Sequence, residues 1–360
     1  MKDISKSNYN HVKKNCIVLI EQNGDHFHAG SKARNDVDTI FNKFGFKKLF
    51  NYSLDNNIDG TASKSIIYYI SRMINCLKTY CSFHGVEDKI LFVQFPSYSP
   101  SVLRGAMRKL YEKNNTVFLV HDVDLLRNFG KAEDEIEILN SASVVIVHNE
   151  FMASKLQQYG LLNAHIVNLE LFDYLVEKSV KEKNFEKAVV FAGNLKKSQF
   201  LSEWVKTKKK YALNLYGNGL NEDWVLSDTV NYCGAYPPEV LPHKISGGFG
   251  LIWDGVGTKT CDGDYGEYLK YNNPHKLSLY IAAGIPVIVW NKAAVAALVK
   301  KYNIGYCIET LDEINNIMDK IDFDRYELLK TNIKILQKKV LNGEFLSNAV
   351  NRTLEWIVNT

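Results

Sequence analysis

Short apolar segments alternate with longer amphipathic segments along almost the whole chain. In the first half, apolar runs such as 89–95 have the length of buried strands, and the segments after them carry apolar residues at helical spacing. Strands that alternate with helices form a parallel sheet covered by helices on both faces. The first half is therefore predicted to contain strands near 16–20, 48–52, 89–95, 116–121 and 143–147, and helices that begin at or near 31, 66, 101, 133 and 149.

A polar segment rich in lysine and glutamate, 172–187, is predicted to link this half to a second alternation of the same kind. Because no sequence repeat is evident, the chain is predicted to form two Rossmann-like, doubly wound α/β domains that face a cleft. We expect these domains at 1–171 and 172–342, with a helix in 343–360 that crosses back to the first. Ligands of such folds bind at the carboxyl ends of the strands. Strands of the second half are predicted near 187–192, 211–216, 249–253, 287–290 and 302–309.

The segment 271–290 gives the strongest indication of a ligand site. It predicts a helix that Asn273 caps, with Pro274 at the first helical position, where its missing N–H is not needed. Gly284 is predicted to end this helix, and Pro286 to open an apolar strand.

His275 and Lys276 lie in the first turn of that predicted helix. A cation there opposes the helix dipole, at a cost of a few tenths of a kcal/mol. The cost is understandable if an anion binds between Lys276 and the free N–H groups, because helix N-termini are phosphate sites. The alternative is a surface helix with an incidental lysine.

A second candidate anion site follows the predicted strand 187–192. Gly193 and Asn194 form a turn, and Lys197 leads into the next helix, so a diphosphate could be approached from this side too. The alternative is an ordinary turn with exposed lysines. Tyr216 ends the neighbouring strand and is included in this candidate site. The sequence contains no P-loop motif, and no G-x-G-x-x-G follows a strand, so NAD is not indicated.

Gly30 and Ser31 are placed at the start of the first helix, which faces phosphate in many N-terminal domains of this type. Ser31 is predicted to cap this helix. His26 and His28 precede it in a polar loop, where they are either exposed or in contact with a sugar.

The sequence His121-Asp122-Val123-Asp124 ends a predicted strand and has three interpretations. His121 and Asp122 could meet an acceptor hydroxyl at the cleft edge. An Asp-x-Asp pair could instead hold Mn²⁺ or Mg²⁺ against a diphosphate, as in single-domain, type A glycosyltransferases. The simplest alternative is a strand end with an Asx turn.

Composition narrows the class of protein. The chain has 360 residues, 46% hydrophobic and 23% charged, which is typical of a globular protein of two domains. It shows neither an apolar signal-peptide core nor a membrane span, and its six scattered cysteines fit a reducing cytoplasm. The net charge of +4 is too small to indicate nucleic acid. The run Lys208–Lys210 is either a solvated face or a peripheral membrane contact.

Four segments carry a resemblance to a known family: 120–123, 191–194, 247–254 and 276–289. In their order and spacing the chain resembles glycosyltransferases of the glycosyltransferase-B fold. More narrowly, it is similar to the accessory glucosyltransferases of streptococci and lactobacilli that extend sugars on serine-rich adhesins, and to bacterial β-1,6-galactofuranosyltransferases.

The resemblance implies a UDP-sugar donor, no metal and no other cofactor, a glycan or glycoprotein acceptor, and a homo-oligomer, either a dimer or a tetramer. It implies that Lys276 contacts the donor diphosphate and that Lys197 supplies a second cation. Many type B enzymes carry two glutamates eight residues apart, the second of which binds the ribose. Tyr271 and Leu279 stand at these positions here, so the ribose must have other partners.

The sequence therefore predicts an inverting hexosyltransferase that is similar to the glucosyltransferases. Helix N–H groups, Lys276 and Lys197 would stabilise the leaving diphosphate, and Asp122, or else His121, would be the acceptor base. One alternative is a β-1,6-galactofuranosyltransferase of cell-surface polysaccharide synthesis, which the segment 265–269 resembles more closely. An alternative of another class is a non-catalytic, nucleotide-binding partner of another transferase.

Overall fold

A computed structural model describes residues 12–21, 29–52, 66–97, 99–129, 133–221, 224 and 228–360. His26 and His28 lie outside these ranges. Among the described helices, none combines the length and the apolar character that crossing a bilayer requires.

The N-terminal half forms one sheet of six parallel strands in the order β2-β1-β3-β4-β5-β6. Its strands are β1 (Cys16–Glu21), β2 (Lys47–Asn51), β3 (Ile90–Phe95), β4 (Asn115–Val120), β5 (Val144–Val147) and β6 (His165–Asn168). Its helices are α1 (Ala29–Phe44), α2 (Ile66–Phe83), α3 (Arg104–Glu112), α4 (Glu133–Asn140) and α5 (Glu150–Gln158), with short 3₁₀ turns at Ser101–Leu103 and Asp124–Arg127.

The C-terminal half repeats this architecture with the strand order β12-β11-β10-β7-β8-β9, again parallel. Its strands are β7 (Ala188–Ala192), β8 (Ala212–Tyr216), β9 (Val230–Tyr232), β10 (Phe249–Ile252), β11 (Val287–Trp290) and β12 (Gly305–Ile308). Its helices are α6 (Leu201–Trp204), α7 (Leu241–Lys244), α8 (Gly263–Tyr268), α9 (His275–Ala283), α10 (Val295–Tyr302), α11 (Glu313–Lys320), α12 (Phe323–Asn342) and α13 (Glu344–Asn359).

Each sheet is buried on both faces, which is why its central strands are apolar without alternation. Every residue of β3, β5, β7 and β10 is buried. The predicted fold class, two doubly wound α/β domains, is confirmed by this topology. Strands β6 and β9 were not predicted, since each is short and only partly apolar.

Helix α13 belongs to the core of the N-terminal half, although the chain reaches it from the C-terminal half. Its Leu346, Val350 and Leu354 are buried among residues of β1, β3 and β4. Asp173, in the segment that joins the two sheets, accepts hydrogen bonds from the N–H groups of Phe345 and Leu346 at 3.2 and 2.8 Å. The start of this helix is thereby held to the connection between the halves.

The structure does not support two interpretations made from the sequence, the cap at Ser31 and the solvated lysine run. Ser31 does not cap a helix, because α1 begins at Ala29 and Ser31 is buried in its first turn. The lysine run is not a free basic face, because Lys209 is buried against the carbonyl groups of Trp204 and Thr207, and Lys210 pairs with Asp319.

Tyr280 of α9 fixes the carboxyl ends of two central strands of the C-terminal sheet. Its hydroxyl group accepts a hydrogen bond from the Ala192 N–H at 2.9 Å and donates one to the Leu251 carbonyl at 3.2 Å. The Tyr280 ring lies directly on Gly250, where a Cβ atom would overlap it. Glycine at this position therefore lets helix and sheet approach closely.

We predict that Gly250→Ala destabilises the protein by about 1–3 kcal/mol, the usual cost of overpacking a core. The melting temperature should fall by several degrees in calorimetry. Gly105→Ala is the matched control, because Gly105 lies on exposed helix surface with open space around its Cα. Alanine there should leave the melting temperature unchanged or raise it. Equal melting temperatures of Gly250→Ala and the wild type would contradict the packing described.

Candidate active site

A cleft of about 620 Å³ lies between the two halves, at the carboxyl ends of β7 and β8. Most of its wall belongs to the C-terminal half, with Gly30, Arg127 and Tyr174 on the other side. Seven of the predicted site residues line it: Gly30, Gly193, Asn194, Lys197, Tyr216, His275 and Lys276. The other five, Ser31, His121, Asp122, Asn273 and Pro274, are not among the residues that line it.

Lys276 places its ammonium group beside the end of β7, 3.8 Å from where a Cβ at Gly193 would lie. Its Nζ lies 3.3 Å from Oδ2 of Asp254 and 4.7 Å from the centroid of the Phe191 ring. Its side chain is only one-fifth exposed, so the cation is held in a partly dry environment. Its Cε would be 3.1 Å from a Cβ at Gly193, so glycine at 193 leaves room for the lysine.

The start of α9 differs from the sequence prediction. Pro274, not Asn273, is the N-cap residue, with φ −64° and ψ 137°, and no side chain caps the helix. By position, the N–H groups of His275 and Lys276 have no partner within the helix. The predicted end of the helix is confirmed, because Gly284 has a φ of 79° in the left-handed region.

Asn273 instead joins the two halves of the molecule. Its side-chain amide donates to the carbonyl groups of His148 and Glu170 at 2.9 and 2.7 Å, and its Oδ1 accepts from Asn149 at 2.7 Å. Its backbone N–H donates to Nδ1 of His148 at 2.9 Å. Asn273 is 4% exposed, so all these bonds are shielded from water. Asn149 also caps α5, as predicted, by accepting from the N–H groups of Phe151 and Met152.

His275 is a neutral side chain and not the cation that the sequence suggested. Burial, and next the charge of Lys32, lower the pKa of His275 to about 3. Its ring stacks on Tyr174 with centroids 5.0 Å apart, and its Nε2 is buried without a hydrogen-bond partner among the described residues. Lys276 is thus the cation of this first turn.

The turn after β7 supplies a second cation, but not a helix N-terminus. The residues after Asn194 form consecutive turns, and the short helix α6 begins only at Leu201. The Asn194 side chain accepts a hydrogen bond from the Lys197 N–H at 3.1 Å, which fixes the turn. Lys197 is exposed on the cleft wall.

Two glycines bring the ends of β7 and β8 into contact. A Cβ at Gly217 would overlap the carbonyl group of Gly193, and Gly217 has a φ of 131°, which favours glycine. The Gly193 N–H donates to the Tyr216 carbonyl at 3.0 Å. The wall is therefore bare backbone at this point, which a ligand can approach closely.

Two tyrosines line the far end of the cleft. The Tyr216 hydroxyl group donates to the Lys244 carbonyl and accepts from the Ser246 N–H, both at 3.2 Å. The Tyr236 ring lies 6.5 Å from that of Tyr216 and is partly exposed. Sequence reasoning missed Tyr236, because it lies in an irregular loop after β9 with no local motif.

The residue that joins this cleft to the predicted base is Arg127, which sequence reasoning also missed. Its guanidinium group lines the cleft and lies 3.2 Å from Oδ1 of Asp122. Tyr268 of the C-terminal half donates from its hydroxyl group to the same Asp122 oxygen at 3.3 Å. Burial raises the pKa of Asp122, and Arg127 acts in the opposite direction.

Asp122 and Asp124 both face Arg127, at 3.2 and 3.6 Å. The structure thus shows an Asp-Arg-Asp cluster in which one guanidinium group pairs with both carboxylates. Within the described ranges, no three His, Cys, Asp or Glu side chains are grouped so that they could hold a metal ion.

The glycine-rich segment 255–266, which precedes α9, is ordered around Asp262. The Asp262 Oδ1 accepts hydrogen bonds from the N–H groups of Val256 and Gly257.

His121 is held as a neutral ring. Its Nε2 lies 2.6 Å from Oε1 of Gln94, whose amide group donates to Asp38 at 2.7 Å. Since that amide oxygen can only accept, Nε2 of His121 carries the proton. Burial first, and then the charge of Arg34, lower the pKa of His121 well below its ordinary value.

The two positions that carry glutamates in many type B enzymes differ in placement. Leu279 lines the cleft with an apolar side chain. Tyr271 packs against the core of the N-terminal half, and Lys155 lies 5.9 Å from its ring. Neither side chain offers a carboxylate for a ribose.

Two family models match the chain, in order along the sequence. The model described as glucosyltransferase 3-like, N-terminal domain, matches residues 14–171. The model described as glucosyltransferase 3-like, C-terminal domain, matches residues 189–353.

Two relatives are similar over nearly their whole length. The β-1,6-galactofuranosyltransferase WbbI of Escherichia coli (strain K12) is 31% identical over 336 residues, which are 91% of this chain and 94% of the relative. Glucosyltransferase 3 of Streptococcus gordonii is 26% identical over 333 residues, 89% of this chain and 94% of the relative.

Among solved structures, the sucrose-phosphate synthase of Thermosynechococcus elongatus is similar with a TM-score of 0.60. The match covers 95% of this chain and 98% of that one, at 12% identity. At 12% sequence identity, the structural similarity supports a shared fold and nothing more. Together with the two parallel six-stranded sheets, it confirms the glycosyltransferase-B fold.

We predict that His275 stays neutral between pH 5 and 9, because its pKa is lowered to about 3. Nuclear magnetic resonance of histidine-labelled protein should show imidazoles that do not titrate in this range, among them those of His121 and His275, and one of these signals should disappear in His275→Gln. The urea-unfolded chain is the control, in which every imidazole should titrate near 6.5. Protonation of His275 near pH 6 in the folded protein would contradict the burial described.

Proposed function

Because this chain belongs to the glucosyltransferase 3-like family and is a glycosyltransferase, we propose that it transfers a hexosyl group from a UDP-sugar to a glycan or glycoprotein acceptor. The proposal includes inversion at the anomeric carbon and independence of metal ions. The observation that carries it is the cleft wall, where Lys276, the first turn of α9 and the bare backbone of Gly193 face one space.

This wall suits the leaving diphosphate of the donor. Breaking the sugar–phosphate bond develops negative charge, which preorganised donors in a water-poor site stabilise strongly. Lys276 is mostly shielded from water, and the N–H groups of His275 and Lys276 have no acceptor within the helix, so they can donate to a ligand. Lys197 adds a second cation from the turn after β7. Asp254 holds Lys276 in place until the diphosphate binds.

The apolar and aromatic end of the cleft suits the uridine. Tyr216 and Tyr236 offer ring faces there, and Leu279 offers an aliphatic surface. With no glutamate at position 279, the ribose must take its polar partners from other residues of this wall, which include Asn194 and Asn218.

Asp122 is the proposed general base for the acceptor hydroxyl. It lies just past the carboxyl end of β4, where the N-terminal half meets the cleft. Burial raises its pKa, which strengthens a base, while Arg127 keeps a cation beside it. His121 is a weaker candidate, because its Nε2–H is engaged by Gln94 and its pKa is lowered.

The transferred sugar has two candidates. Glucose is proposed from the match of both halves to glucosyltransferase 3-like models. Galactofuranose is favoured by the higher identity to WbbI, 31% against 26% for glucosyltransferase 3 of Streptococcus gordonii. Turnover with UDP-glucose, UDP-N-acetylglucosamine, UDP-galactose and UDP-galactofuranose, measured side by side, decides between them.

A non-catalytic role as a nucleotide-binding partner of another transferase is the alternative of another class. Release of UDP from a UDP-sugar by this chain alone discriminates between the catalytic and the non-catalytic role.

Three further properties stay predictions from the sequence. They are the domain limits at 1–171, 172–342 and 343–360, the assembly into a dimer or tetramer, and the cytoplasmic location. Limited proteolysis and light scattering test the first two.

We predict that Lys276→Ala loses about 1.5–3 kcal/mol of UDP affinity, the range for hydrogen bonds to charged groups. Isothermal titration calorimetry measures this directly. Lys210→Ala is the control, because Lys210 lies just before the amino end of β8, whereas the carboxyl end lines the cleft, and it pairs with Asp319. Unchanged UDP affinity in Lys276→Ala would show that the diphosphate does not bind at this wall.

Turnover is predicted to survive EDTA, because Lys276, Lys197 and helix N–H groups stabilise the leaving group. The measurement compares initial rates before and after chelation, with and without added Mn²⁺ or Mg²⁺. If EDTA abolishes turnover and Mn²⁺ restores it, Asp122 and Asp124 are metal ligands, and Arg127 must move away from them.

Asp122→Asn should lower kcat by about 10²–10⁴-fold, the usual contribution of a positioned base, with UDP affinity changed by less than about threefold. Asp124→Asn is the matched control. It also faces Arg127 but is half exposed, so its kcat should stay near that of the wild type. Joint loss of UDP binding and activity in Asp122→Asn would make Asp122 structural or metal-bound. Full activity would move the role to His121.

A further inference from the structure

Helix α2 presents its apolar side to the outside of the molecule. The side toward the protein carries Thr79, which accepts a hydrogen bond from the Tyr52 N–H at 2.9 Å, and the buried Phe83. The opposite side is apolar and exposed over four turns, with Ile66 at 78%, Met73 at 69% and Leu77 at 63% exposure. The full exposed set is Ile66, Tyr69, Ile70, Met73, Ile74, Leu77 and Tyr80.

This set occupies one continuous arc of the helix. At 3.6 residues per turn, the seven residues cover about 140° of the circumference. Tyr69 and Tyr80 fall at one margin of the arc, where a ring with a polar hydroxyl group suits a boundary between apolar and aqueous phases. Scattered apolar residues are normal on a surface, but a contiguous apolar arc marks an interaction site.

The charged residues within α2 itself have one sign. Residues 66–83 contain no Asp or Glu. Arg72 and Lys78 are exposed and lie on opposite sides of the arc, about 130° and 110° from its centre. Arg72 is on the same side of the helix as Thr79, but about two turns before it. In β2, against which α2 packs, Lys47 and Lys48 are also exposed. The face is therefore apolar in its middle and basic at its borders.

We propose that α2 lies on an anionic lipid surface, with its apolar arc among the acyl chains and Arg72 and Lys78 at the level of the headgroups. Helices that bind in this way have an apolar face, basic flanks and aromatic residues near the boundary. Anionic lipids attract basic residues placed close to the surface. Because β2 is the edge strand of its sheet, α2 lies at one margin of the N-terminal half and can meet a flat surface.

A second copy of this chain fits the face less well. A two-fold contact would set the arcs of two α2 helices against each other, since such interfaces use the same patch twice. Arg72 and Lys78 of both copies would then flank the contact, and neither helix has an acidic residue to pair with them. Helix pairs normally match opposite charges at these flanking positions.

The test is flotation of the full chain with two kinds of vesicle, phosphatidylglycerol mixed in equal parts with phosphatidylcholine, and phosphatidylcholine alone. The wild type should float with the mixed vesicles. Met73→Glu combined with Leu77→Glu should abolish flotation, because charge is placed in the middle of the arc. Leu162→Glu combined with Ile335→Glu is the control, since these two residues are equally exposed but lie elsewhere.

A second variant, Arg72→Gln combined with Lys78→Gln, keeps the arc and removes its basic borders. It should bind the mixed vesicles at least about tenfold more weakly, with little change on phosphatidylcholine alone. Equal melting temperatures of all variants establish that they fold.

The proposal is overturned if the wild type floats with neither kind of vesicle. It is also overturned if Met73→Glu combined with Leu77→Glu floats as the wild type does. It is also overturned if light scattering without vesicles shows a dimer that Met73→Glu with Leu77→Glu makes monomeric. That result would assign the face to a second copy.

Discussion

The geometry of the cleft depends on one buried amide, that of Asn273. Its side chain belongs to the C-terminal half, but all three of its hydrogen-bond partners belong to the N-terminal half. A buried amide that lost these partners would cost about 1–3 kcal/mol for each unmade bond. The side-chain bonds of Asn273 are made only when the end of β5 and the start of α9 stand at this separation. Asn273 thus ties the two halves together beside the opening of the ligand site.

The placement of the chemistry follows from that constraint. Lys276 is three residues beyond Asn273 and turns toward the ends of β7 and β8, where Gly193 leaves room for it. A second tie, from the Tyr268 hydroxyl group to Asp122 and to the Val123 N–H, holds the proposed base against the same half. The cleft wall with Lys276 and the proposed base Asp122 are therefore held by two separate contacts between the halves. A change at one contact need not disturb the other.

The features that depend on residues close together in the sequence were predicted correctly. The alternation of apolar and amphipathic segments gave the parallel sheets, Gly284 marked the end of α9, and Asn149 was recognised as a cap. Asn273 fitted the short-range pattern of a cap equally well, yet its partners lie more than 100 positions away in sequence, where no local rule reaches. For the same reason Arg127 and Tyr236 were missed, because only the tertiary fold brings them to the cleft. Helix α2 shows the converse, since its periodicity predicts a helix but not which side faces water.

The central claim is that the diphosphate of a UDP-sugar binds at the first turn of α9 and is stabilised there without a metal ion. The most direct measurement is a crystal structure of this chain with UDP bound. The account predicts phosphate oxygens within hydrogen-bond distance, roughly 2.7–3.2 Å, of Lys276 Nζ and of the first-turn N–H groups. A diphosphate found elsewhere, or one bridged by a metal ion to Asp122 and Asp124, would contradict it.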